Sequence, residues 1–464
     1  MAEHTCQTCD AVFKGRAHYE RHLQRKRPCK KSTAVVRAEI ATIKKLEVGL
    51  VWTRTYDEVK HHVDSVLNKD KSTFSSSNDE PTPIGCIEEM MAVIPEEFWK
   101  TSKKCLDPCC GNGNFHVVIA DAMSKYQASS SVLTSLHFND LNTARLQNVV
   151  EMFGTASMRT NRDFLKDEFD TDYDLVVMNP PYARIMEDGV RASKNHGLSI
   201  SFMQKGLDSL KVGGYLVAIV PDNWMSLADR NTFCSSLTQY QFIALNIHVA
   251  KKWFPKVGSS FSWFVIQKSP AVHAFNVTYM LKNEVCTDIV QSVPRTYIPL
   301  WYSATIQSIF MKTVDNPVLE KYTVETSSDL HKYTKSSLIN GTELTTHPHR
   351  LIHTPKQTVW SSRPHKYQDG WKVFISTTDK YSVFVDSCGM TQSIAFIRVP
   401  DKEHAEQVRD ALLHPLYRFL NNACRYGNFN NIRVLQRFPV AIDDPYKKFG
   451  ITDEEVKCIA YHSR

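Results

Sequence analysis

The chain has 464 residues, of which 42% are hydrophobic, 11% aromatic and 23% charged. That length leaves room for about three domains and that composition supplies a sizeable core, so a single small module, a disordered chain and a collagen-like chain are excluded. The net charge of +7, twelve mostly isolated cysteines and no run of about 18 uncharged apolar residues predict a soluble intracellular protein of cytoplasm or nucleus, with thiols rather than disulfides and neither membrane span nor signal peptide.

The first predicted unit spans residues 1–31. Cys6-x2-Cys9-x12-His22-x6-Cys29 has the spacing of a Cys2HisCys zinc finger, with Phe13 and Tyr19 as the core aromatics of a hairpin and helix. Two thiolates on a knuckle, a helical His and a Cys beyond it supply four ligands for structural Zn²⁺, whose binding replaces the core that so small a unit lacks. His18 is an alternative ligand. The unit holds eight Lys/Arg against three Asp/Glu, a handle for a polyanion such as nucleic acid. Residues 32–78 follow as a helical connector and linker. Val36, Ile40, Ile43, Leu46, Leu50, Val59, Val63 and Leu67 stand near helical spacing between 33 and 68, and the polar, Ser-rich stretch from Lys71 to Pro83 puts a boundary near residue 78.

From 79 to 290, short β-rich runs alternate with helical ones, the pattern of a largely parallel sheet covered by helices. Strands are predicted over 103–107, 135–140, 173–178, 214–220, 241–249 and 262–267, with ligands expected at their carboxyl ends. The first strand runs into Asp107-Pro-Cys-Cys-Gly-Asn-Gly-Asn-Phe115, where Gly111 and Gly113 allow close backbone approach and a helix start offers free N–H groups. The second ends in Asn139-Asp140. Asp163-Phe164-Leu165 comes next, and the third strand ends in Asn179-Pro180-Pro181-Tyr182. Beyond residue 290 the alternation fades; paired strands are predicted over 371–385 and a long helix over 402–422.

In that order these motifs resemble the S-adenosylmethionine-dependent DNA adenine N6 methyltransferases of the gamma class typified by TaqI. Thr82-Pro83-Ile84 before the helix 88–93 looks like that family's amino-terminal motif, and the resemblance extends through Lys211 to Pro221 and Trp253-Phe254-Pro255, covering about residues 80–270. It implies an α/β protein with a Rossmann-like class I methyltransferase sheet over 79–290, followed by a mixed α/β target-recognition domain over 291–464. The segments 412–429 and 435–440 are similar to recognition-domain ends of modification enzymes. The implied cofactor is S-adenosylmethionine, held by Thr82, Pro83, Asp107, Pro108, Gly111, Gly113, Phe115, Asp140 on the ribose, Asp163 and Phe164 at the adenine, and Asn179. Asp163 reads alternatively as a helix cap. Asn179 and the Pro180 carbonyl accept both hydrogens of a flipped adenine's amine, Pro181 helps fix the turn, and Tyr182 and Phe254 sandwich the base, although Trp253 or Phe261 are alternatives to Phe254. The expected partner is DNA and the expected setting restriction-modification. Because the motif names a conjugated planar amine rather than a polymer, RNA adenosine, a protein glutamine amide and a non-catalytic nucleic-acid binder are the other readings. A finger on such an enzyme would suit a large DNA virus or its host.

Overall fold

The computed structural model describes residues 3–25, 29–32, 34–36, 48–74, 79–182, 197–229, 232–258, 260–378 and 380–463. Of the helical stretch expected from 33 to 68, residues 33 and 37–47 lie outside the described residues, as do 75–78 of the Ser-rich linker and Lys26 and Arg27 of the finger. The chain divides into two compact units, residues 1–181 with 208–211, and residues 182–207 with 212–464. The division falls within the stretch 79–290. No described helix is long and apolar enough to cross a membrane.

The first unit begins with the antiparallel pair β1 (His4–Thr5) and β2 (Val12–Phe13) and helix α1 (Arg16–Leu23). Helix α2 (Tyr56–Ser65) is started by a reciprocal cap in which Thr55 and Glu58 each satisfy the other's backbone N–H. Its apolar stripe of Val59 and Val63 is buried. Both Tyr56 and Lys60 reach Glu88 of helix α3 (Ile84–Met91), at 2.9 and 2.7 Å. Helix α2 therefore belongs to the folded body of this unit and packs with α3 over α4 (Asn114–Ser124).

Strands β3 (Cys105–Asp107), β4 (Leu136–Asn139), β5 (Met158–Thr160) and β6 (Tyr173–Met178) run parallel in the order β6-β3-β4-β5. Every residue of β3, β4 and β6 is buried. Such unbroken burial is what strands covered on both faces require, and it explains why their sequences do not alternate. The connection from β4 to β5 is helix α5 (Thr143–Phe153), opened by the Asn142 side chain accepting from Ala144 and Arg145 N–H and closed by Gly154 at φ 90°.

In the second unit, β7 (Leu210–Pro221, all but its first two residues), β8 (Tyr240–Ile247), β9 (Phe261–Pro270), β10 (Phe275–Leu281) and β11 (Glu284–Val290) stand in the order β7-β9-β8-β10-β11. Strand β9 is antiparallel to both its neighbours, β8 and β10 are parallel, and β10 and β11 form a hairpin. The two units thus carry an α/β fold whose first unit holds parallel strands and whose second unit is mixed. Strands β5, β10 and β11 were not anticipated from the sequence. Beyond them lie two four-stranded sheets, one containing the antiparallel pair Lys372–Ser376 and Val383–Asp386, where paired strands are predicted.

One element departs from expectation. The long helix predicted over 402–422 is two helices, α6 (Lys402–Leu412) and α7 (Pro415–Ala423). Pro415 has no N–H to continue the first ladder, and it sits at the first position of the second helix, where that N–H would be unpaired anyway; His414 caps it.

Candidate active site

The loop after β3 turns on two left-handed glycines, Gly111 at φ 53° and Gly113 at φ 83°. At Gly113 a side chain would also collide with the core, because an added Cβ would lie 3.0 Å from Phe153 and 3.3 Å from Phe138. This glycine therefore lets helix α4 begin tight against the sheet. Phe115, one residue into that helix from its start, is buried.

Two carboxylates shape the loop. Asp107, fully buried at the end of β3, accepts from Cys109 N–H at 3.1 Å, and burial raises its pKa well above the ordinary carboxylate range. Asp140, just beyond β4, accepts from Gly111 N–H and Asn142 N–H, both at 2.8 Å, one at each oxygen. Burial raises its pKa as well, with those two N–H groups pulling the other way. The preceding Asn139 is locked by Pro108 O and Arg162 O, so the end of β4 is rigid. Asp163 accepts from Leu165 N–H at 3.1 Å and pairs with Lys166 at 2.9 Å, which lowers its pKa; Phe164 beside it is buried edge-on against Phe169.

Asn179 ends the extension of β6. Its Nδ2 donates to Glu80 O at 3.1 Å and to Thr82 Oγ1 at 3.0 Å. Glu80 O is a carbonyl and can only accept, so this contact assigns the nitrogen to that side of the amide and the oxygen to the other. Thr82 is itself buried, and its carbonyl accepts from Asn114 Nδ2 at 2.8 Å. The segment 79–82 thereby ties the glycine loop to the strand end that carries Asn179. Pro180 and Pro181 follow directly in the first unit, whereas Tyr182 and Phe254 belong to the second. In that unit Phe254 is buried and meets Phe261 edge to face, ring centres 4.9 Å apart.

Arg145 is a site residue that the sequence did not single out. Its guanidinium is nearly buried, pairs with Asp79 at 2.9 Å, donates to Thr73 O at 3.2 Å and lies over the Phe74 ring. Asn142 reaches the same Thr73 carbonyl at 2.7 Å. In sequence an Arg in the first turn of an amphipathic helix reads as a solvated charge; Asp79, its partner, stands 66 positions earlier.

The finger's four candidate ligands come together. One ligand atom from each of Cys6, Cys9, His22 and Cys29 lies within 4.8 Å of all the others. Backbone N–H groups of Thr8 and Cys9, turned toward the Cys6 sulfur, lower that thiol to about 6, while burial and the other thiols push Cys29 to about 11. Phe13 packs on His22 and Tyr19. His18, the alternative ligand, is exposed and not among the four. Arg16, Arg21 and Arg25 are exposed on and just after α1.

Residues 96–254 match the family model of the Eco57I restriction-modification methylase. The type II restriction enzyme and methyltransferase RM.BcgI of Heyndrickxia coagulans is 29% identical over an alignment of 139 residues that covers 27% of this chain and 21% of that protein. The match thus spans about a fifth of that relative's length. Among solved structures, the type IIL restriction-modification enzyme MmeI in complex with DNA is similar with a TM-score of 0.49 and 8% identity, over 90% of this chain and 67% of that one. The DrdV–DNA complex is similar with a TM-score of 0.47 and 9% identity, over 88% and 60%.

Proposed function

We propose that this protein is an S-adenosylmethionine-dependent methyltransferase of restriction-modification type that methylates N6 of a flipped adenine in DNA. The observation that carries the reading is the Asn179 amide, held through its nitrogen by Glu80 and Thr82 with its oxygen turned the opposite way. An exocyclic amine is a poor nucleophile because its lone pair is delocalised into the ring. Accepting its hydrogens at Asn179 Oδ1 and Pro180 O lets the nitrogen pyramidalise, and an acceptor already oriented costs no reorganisation during reaction. Tyr182 and Phe254 are the aromatic faces for the extruded base.

S-Adenosylmethionine, when bound, supplies an electrophilic methyl group on sulfur. The residues present fit it. Each Asp140 oxygen takes one backbone N–H and keeps a lone pair for a ribose hydroxyl. Thr82, Pro83, Asp107, Pro108, Gly111, Gly113 and Phe115 would line the rest, with Asp163 and Phe164 at the adenine. The finger would hold Zn²⁺, since ligand sulfurs about 2.3 Å from a tetrahedral ion lie about 3.8 Å from one another, and the Cys6 and Cys29 sulfurs are 3.8 Å apart. Its exposed arginines suit phosphate contact, which gives affinity without sequence preference.

The test is to incubate the pure protein with radiolabelled S-adenosylmethionine and, in parallel, duplex DNA, RNA and cell protein, then identify the methylated group by mass spectrometry. N6-methyladenine in DNA is expected. Label in RNA adenosine or in a protein glutamine would transfer the same chemistry to another polymer, and no label would leave the binding-only reading.

A further inference from the structure

We propose that a cavity of about 550 Å³ in the second unit is a binding site for a phosphate carried on an apolar organic group, that is, for one nucleotide unit. It lies where the chain after β11, the end of helix Ala304–Lys312 and the stretch up to Lys321 meet Arg437. Its charge is unbalanced. Arg295, Lys321 and Arg437 line it against one carboxylate, Asp315. That carboxylate is already committed, since Arg295 pairs with it at 2.7 Å and Tyr297 Oη donates to it at 2.8 Å. The Arg437 guanidinium stands 3.9 Å from Asp315, 41% exposed, and its side chain makes no hydrogen bond among the described residues. Lys321 Nζ donates to Thr313 O at 2.7 Å and more weakly to Val314 O, leaving the third of its ammonium hydrogens.

Two cations thus face one space with little to neutralise them, and a half-buried cation gains most from a ligand that brings charge and acceptors together. Burial lowers Lys321 to about 8 against the opposing pull of Asp315, with Arg437 adding a smaller push downward, and an anion seated beside it would raise it again. The remaining wall is apolar, with Val293 and Met311 both exposed, and offers a surface that a flat or aliphatic group can cover. A bare inorganic anion would leave that wall wet. A nucleotide fills both halves, and it has two sources: a free mononucleotide, or a unit of a nucleic-acid strand.

The site is independent of methyl transfer and is tested without cofactor. The full chain is titrated calorimetrically with thymidine 5′-monophosphate, whose base does not suit an adenine pocket, and by fluorescence anisotropy with a labelled duplex at two salt concentrations. Arg437→Gln and Lys321→Gln are each expected to weaken binding about tenfold in at least one arm. In the duplex arm the salt slope should fall by about one per cation removed. An effect on the mononucleotide alone assigns a free ligand, and an effect on the duplex alone assigns a strand. Unchanged affinity of both variants in both arms, or a wild-type protein that binds neither probe, overturns the proposal. Because Lys321→Gln removes two internal hydrogen bonds, acetylation of Lys321 in the wild-type protein is followed by mass spectrometry as well. The probe that binds must slow it, and failure to do so also overturns the site.

Discussion

On the proposed function, Asn179 and Thr82 separate chemistry from positioning at the level of single side chains. Asn179→Ala removes a preorganised acceptor, so turnover should fall at least about 10²-fold, roughly 3 kcal/mol of barrier, with cofactor affinity retained. Normal turnover would take Asn179 out of the reaction. Thr82→Val removes one of the two acceptors that hold the Asn179 nitrogen. The expected result is a drop in kcat of about tenfold with little change in cofactor Kd, restored by Thr82→Ser, since about 1.4 kcal/mol is the scale of one hydrogen bond. A change confined to Kd would show that Thr82 serves the cofactor alone and does not position Asn179. Asp140→Ala should weaken cofactor affinity more than it lowers the saturated rate, because ribose hydroxyls are held alike before and during transfer; calorimetry showing unchanged affinity would move the ribose contact elsewhere. Asn179 was legible in sequence because an Asn-Pro-Pro-Tyr run is local. Its anchoring to Thr82, 97 residues away, was not.

At the scale of elements, two glycines with the same φ of 83° allow a matched comparison. A Cβ at Gly113 would press on Phe153 and Phe138, whereas one at Gly213 would meet nothing within 4 Å. Gly213→Ala should therefore cost only the left-handed backbone penalty, about 1 kcal/mol. Gly113→Ala adds overpacking, for a total of about 2–3 kcal/mol, and its thermal midpoint should fall clearly further. Equal midpoints would show that helix α4 does not depend on the close approach. Strands β3, β4 and β6 of the first unit are readable because buried parallel strands carry nearly continuous apolar runs, as Leu175–Met178 does. Strand β11 is not legible in sequence because most of its residues are exposed, apolar Val285 and Ile289 among them, and its pairing with β10 decides its conformation. The break between α6 and α7 was signalled by Pro415 and overridden by apolar spacing on both sides of it.

For the whole molecule, the finger is expected to supply affinity and not sequence choice. A single finger spans about three base pairs, and its described arginines are spread around α1 rather than in one row. Deleting residues 1–31 should raise KM for DNA and flatten its salt dependence while the methylated motif, read by sequencing, stays the same. On the proposed zinc site, a chelator should reproduce this, because so small a unit would depend on its ion to fold. A relaxed or altered motif after deletion would mean that the finger reads bases; unchanged KM and salt slope would mean that it does not touch DNA.

By itself the sequence determined what is local: the ligand spacing from Cys6 to Cys29, the glycine turn after β3, the Asn-Pro-Pro-Tyr run after β6 and the buried parallel strands β3, β4 and β6. Each rests on backbone geometry or side-chain chemistry that neighbours within a few residues dictate. The tertiary structure alone decided the rest. It paired Arg145 with Asp79, gave Asn179 its orientation through Glu80 and Thr82, set α2 against α3 through Glu88, and gathered Arg295, Lys321 and Arg437 around one cavity. Those contacts join positions far apart in the chain, and a charge or amide looks the same in sequence whether solvent or a distant partner will satisfy it; only burial, which makes an unpaired polar group costly, selects the partner.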